Sequence, residues 1–93
     1  MASSTIKYQN VLKDYGTLTD TDDLDNITEQ GIYHLMNLPA HAPTGTAWCT
    51  LEVYKRNDTN IFQIIHGNDR LWQRAGSSNS MGTWYKFTGE AVN

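Results

Sequence analysis

The sequence has one cysteine, Cys49, two prolines, few cations, and no apolar run near membrane-spanning length. A lone cysteine excludes an internal disulfide and a cysteine-based zinc cage, and it suits synthesis in a reducing cytosol. A bilayer-crossing helix needs about 20 consecutive apolar residues, so membrane insertion is not expected. The formal charge is −3 and the 7 Lys and Arg are dispersed. Nucleic-acid recognition needs cations gathered against phosphate, so nucleic acid is not an expected partner. The opening Met1-Ala2-Ser3-Ser4-Thr5 lacks the charged-then-apolar order of a secretory signal, so any export is expected by another route, such as release of assembled particles by host lysis, and composition does not separate that from cytosolic residence.

What is present is a short chain rich in Asn, Thr, Ser and Gly. At 93 residues with 39% apolar content, it has material for one modest core, because small domains bury a smaller share of their surface. The expected fold is mainly β: a small antiparallel sheet or sandwich-like knob with one short helical turn near the N-terminus. Residues 1–19 read as an arm or linker. Within it, Ile6 and Tyr8 fit strand alternation, whereas Tyr8, Val11, Leu12 and Tyr15 fit one helical face. Residues 20–90 read as the β domain.

Leu24 and Ile27 are spaced to share one side of a helical turn, and the Asp residues around them suit its N-terminal end. Gly31 breaks that turn, and Ile32 to Met36 reads as a strand. Pro39 and Pro43 mark a loop over 37–47. From Ala47 to Lys55, Cys49, Leu51 and Val53 alternate with Trp48, Thr50, Glu52 and Tyr54, the pattern of a half-buried strand with the trio inward. Ile61 to His66 is the returning hairpin strand, apolar on both faces and therefore central or covered. Arg70 to Arg74 follows a tight turn, Ala75 to Gly82 reads as a loop, and Thr83 to Thr88 closes the sheet.

Leu24, Gly31-Ile32-Tyr33, Pro43-Thr44-Gly45, Leu51-Glu52-Val53, Gln63-Ile64, Arg74 and Gly82-Thr83-Trp84 follow one another in an order that resembles the pyocin-knob family, small domains of phage and phage-like tail fibres. The resemblance spans about Asp22 to Phe87; Phe87 stands where many members carry a second tryptophan, and an aromatic core residue is still expected there. It implies a compact β-rich domain, commonly repeated or trimeric along a fibre, beside other tail-fibre domains. It also implies a virion location after synthesis in a host cytoplasm, and no reaction. Leu24, Gly31, Tyr33, Gln63, Arg74 and Trp84 are the motif residues expected to serve the fold.

No reaction centre emerges from the residues themselves. An EF-hand beginning at Asp20 fails, because Leu24 and Asp25 stand where an oxygen ligand and a glycine are required and Gly31 stands in place of the closing Glu. His34, His41 and His66 lie on separate elements without ligand spacing and are expected to be solvated or at edges. No metal and no cofactor are expected. Inward-facing Cys49 is a poor nucleophile because burial raises a thiol's pKa, and no nucleophile elbow or phosphate loop occurs.

The remaining chemistry is aromatic. Indole and phenol rings stack on the apolar faces of sugars while amides and acids take the hydroxyls. Trp48, Tyr54, Asn68, Asp69, Arg70 and Trp72 form the best such set. Arg74 could instead serve the fold by lying over Trp84 or bonding loop carbonyls. The expectation is a non-enzymatic receptor-binding domain that attaches a particle to a bacterial surface, with glycan the chemical class. The alternatives are a structural spacer in the fibre and a carbohydrate-binding module of a virion depolymerase.

Overall fold

A computed structural model describes residues 12–93. The described residues form one seven-stranded sheet: β1 Asp14–Leu18, β2 Gly31–Leu35, β3 Thr50–Asn57, β4 Asn60–His66, β5 Arg70–Ser77, β6 Ser80–Met81 and β7 Tyr85–Thr88. The path runs β1-β2-β3-β4-β5-β6, with β7 also pairing with β5. One 3-10 turn, Leu24–Asn26, completes the regular structure among the described residues. The mainly-β expectation with one short helical turn holds, and the form it takes is a single sheet.

Most neighbours are antiparallel, but β1 pairs with β2 in parallel. A parallel pair needs a long connection, which 19–30 supplies. The reading of Ile6, Tyr8 and Val11 falls on residues outside those described. The later part of the expected arm is the edge strand β1, whose Tyr15 ring stacks on Tyr33 at 5.1 Å. That stacking explains Gly31: a Cβ there would lie 2.5 Å from Tyr15 Cε2 and 2.6 Å from the Lys13 carbonyl.

The strand period of two sorts residues between the faces. Tyr33, Leu35, Leu51, Val53, Ile61, Ile65 and Trp72 point inward and pack with Leu18 and Leu24. Irregular chain covers this face. Segment 19–30 and the proline loop are tied together by Leu24 N donating to Ala40 O (3.0 Å) and Ala40 N to Asp22 O (2.9 Å), which seats fully buried Leu24 over the sheet. Thr46, also fully buried, donates its hydroxyl to Pro43 O at 2.7 Å and so satisfies its polar atom inside the loop.

Three segments differ from the sequence reading. β3 begins at Thr50, so Trp48 lies outside it, with φ +67°. The expected loop 75–82 is a hairpin, because β5 continues to Ser77 and pairs with β6. Phe87 is not a core residue. It sits on β7 opposite Leu71 and is 51% exposed, because register puts it on the outer face of an edge strand whose four residues are all exposed.

Candidate functional site

The inner face carries a connected polar network in the middle of the core. Gln63 on β4 stands opposite Arg74 on β5. Its Nε2 donates to the carbonyls of Leu24 (2.7 Å) and Ile27 (2.8 Å), and its Oε1 accepts from Arg74 Nε at 2.7 Å. One amide thus pins the 3-10 turn to the sheet. The guanidinium lies 4.6 Å over the Trp84 ring, and Trp84 Nε1 donates to His41 O at 2.7 Å. Arg74 Nη2 reaches Asp25 Oδ1 at 3.0 Å, an ion pair by distance without the alignment of a hydrogen bond. Burial holds Arg74 below its ordinary pKa, opposed by Asp25 and Asp23. Leu24, Gly31, Tyr33, Gln63, Arg74 and Trp84 all make contacts that serve the fold.

The histidines pair with carboxylates: His34 with Asp14 (3.0 Å), His66 with Glu52 (2.8 Å), and His41 with Asp23 (2.7 Å) and Asp25 (3.4 Å). The hydrogen bond to His41 holds Asp23 below the usual carboxylate range, and the same contact raises His41. All three rings are exposed, as expected, and each also has a carboxylate beside it. Asp23 and His41 are distant in sequence, and only the 22–24 to 40 bridge brings them together. No local spacing signals the pair.

The outer face is different in kind. Register places Ile32, Glu52, Ile64, Gln73 and Tyr85 in one row, with Tyr54, Phe62 and Ala75 beside it. A third row holds His34, Thr50, His66, Leu71 and Phe87. Phe62, Tyr54, Tyr85 and Phe87 are exposed. Glu52 accepts from the Tyr54 hydroxyl, which raises that phenol's pKa, and contacts His66 from the other side. A groove of about 380 Å³ runs between Tyr54, Phe62, Ile64, Gln73 and Tyr85. Among the described residues nothing covers this face.

The sequence-derived binding set does not converge on one site. Tyr54 lines the outer-face groove. Asn68, Asp69 and Arg70 line a separate depression of about 520 Å³ with Phe87, where Arg70 is clasped by Asp69 at 2.7 Å. Trp48 is 75% exposed and borders a third hollow with His34, Met36 and Cys49. Trp72 is withdrawn from the set: it faces inward and is 4% exposed, packed between Gly45 and Gly67. Cys49 is half-buried against the core, and burial pushes its thiol up. Sequence reasoning missed Phe62 and Tyr85, although apolar residues on both sides of β4 were the available signal.

The fold and the outer face define a single-sheet β domain with a loop-covered core and an open aromatic surface. In comparisons with known proteins, no family model matches the chain, and no curated protein or solved structure matches it.

Proposed function

We propose that the chain is a non-enzymatic receptor-binding domain of a phage or phage-like tail fibre that attaches to bacterial surface glycan through the open face of its sheet. The observation that supports this reading is the grouping of exposed Tyr54, Phe62 and Tyr85 around one groove with Gln73 and Glu52 beside it. Rings stack on sugar faces, the Gln73 amide both donates to and accepts from hydroxyls, and the Glu52 carboxylate accepts from them. Such shallow sites bind weakly, and several copies engaging one cell raise the overall strength.

A second reading, a fibre spacer with no receptor contact, draws on the commitment of every motif residue to the fold. Titrating the chain with oligosaccharides released from bacterial surface polysaccharide, followed by amide NMR, separates the two. Shifts confined to β3, β4, β5 and β7 on the outer face support attachment. No shift at millimolar ligand leaves the spacer.

A further inference from the structure

We propose that Asp23, Asp25 and His41 form a transition-metal site, of the class that binds zinc, on the loop-covered side of the molecule. His41 Nδ1 and one carboxylate oxygen from each aspartate lie within 4.8 Å of one another. Tetrahedral zinc with bonds of about 2.0 Å sets its ligand atoms roughly 3.3 Å apart. The His41–Asp25 distance is already 3.4 Å, and the His41–Asp23 distance of 2.7 Å has to open by only about half an ångström to meet that edge.

The ligands are held from behind, as metal ligands generally are. Asp23 caps the 3-10 turn through its Oδ1 and the Asp25 N–H at 2.9 Å. The His41 carbonyl is fixed by the Trp84 indole. Arg74, whose side chain is only 4% exposed, aims Nη2 at Asp25 Oδ1, yet neither atom completes a hydrogen bond. That buried pair is a separate observation: Arg74 holds Asp25 through Oδ1 and so turns the other carboxylate oxygen, Oδ2, toward His41. The half-exposed His41 ring leaves one side open for entry and for water to complete the coordination.

Donor chemistry selects the ion. Calcium and magnesium require shells of six or more oxygens, whereas one imidazole with two carboxylates suits zinc, cobalt or nickel. Two aspartates and Arg74 sum to one negative charge, so a divalent cation is attracted despite the guanidinium. Binding replaces the proton shared between His41 Nδ1 and the aspartates, and that proton leaves to buffer.

The test is calorimetric titration of the chelator-treated chain with zinc chloride near neutral pH, in two buffers of different ionisation enthalpy. One zinc per chain with release of up to about one proton is expected. His41→Gln should weaken uptake at least about tenfold, whereas His66→Gln, which breaks a comparable histidine–carboxylate pair on the other face, should leave it unchanged. Should His41→Gln fail to fold, zinc titration of the unaltered chain by NMR decides: shifts at 22–26 and 40–42 uphold the site. No zinc uptake by the unaltered chain, uptake that survives His41→Gln, or shifts centred on His34 or His66 would overturn it.

Discussion

At the scale of single residues, the most consequential side chain is Gln63. It is fully buried, and every polar atom it has is used: two carbonyls on one side and Arg74 on the other. Gln63→Leu leaves the Ile27 carbonyl and Arg74 Nε without their partner, while the Leu24 carbonyl keeps only the Ile27 N–H at 3.2 Å. Buried groups so orphaned cost about 1–3 kcal/mol each, and urea denaturation should show a loss of about 3 kcal/mol or more with an unchanged slope. The sequence displayed Gln63 and Arg74 as members of an ordered motif, but not their mutual contact, because strand register is decided by pairing across the sheet and not by spacing along the chain.

The histidine pairs give a pH dependence at the same scale. His41 is raised above its ordinary 6.5, so its contribution is complete below that value and disappears as pH rises through the higher folded pKa. Asp23 and Asp14 are lowered from 3.8. Their contributions are present above that value and vanish as pH falls through the lower folded pKa. Thermal unfolding in the presence of a chelator should therefore peak between about pH 4 and 6.5. His41→Gln should flatten the alkaline limb more than the acid one, because Asp14 still titrates.

At the scale of elements, β2 to β4 were legible, β3 by its alternation and β2 and β4 by their apolar, β-branched and aromatic residues, and the short strands were not. The Ala75–Gly82 stretch reads as a loop by composition, yet Gly76 and Gly82 let two backbones approach so closely that β6 can form. A Cβ on Gly76 would lie 2.5 Å from Ser80 O and 2.6 Å from Met81 Cα. Gly76→Val should dissolve this hairpin tip while leaving β2 to β4 intact, visible as loss of amide protection for Gly82, whose N–H donates to Ala75 O. Strand β7 depends on a different anchor, the Trp84 indole that joins Arg74 below to His41 above. Trp84→Phe keeps a ring over the guanidinium but removes the donor to His41 O. Faster hydrogen exchange in β7 and at Ala42, whose N–H donates to Pro39 O, is the expected result, with the strand pair β3–β4 unaffected.

At the scale of the whole molecule, the two faces of the sheet have separate duties. The inner face consumes the motif residues and the core. The outer face exposes aromatic surface that no intramolecular contact among the described residues requires. Periodicity revealed which side of β3 was inward, but it could not show whether the second apolar side of β4 was covered, since burial by a distant segment leaves no local mark. Phe62→Ser and Tyr85→Ser test this division directly. Both side chains are substantially exposed, at 46% and 62%, so each substitution should alter stability by no more than about 1 kcal/mol. If the open face is the adhesive surface, loss of either ring should weaken glycan binding about tenfold, the effect of removing roughly 1.4 kcal/mol of contact. Trp48→Ser, in a hollow away from this groove, should leave binding unchanged. Equal binding by all three variants would assign the face to another task. A fall in stability comparable to that of Gln63→Leu would instead mean that the outer aromatics belong to the core.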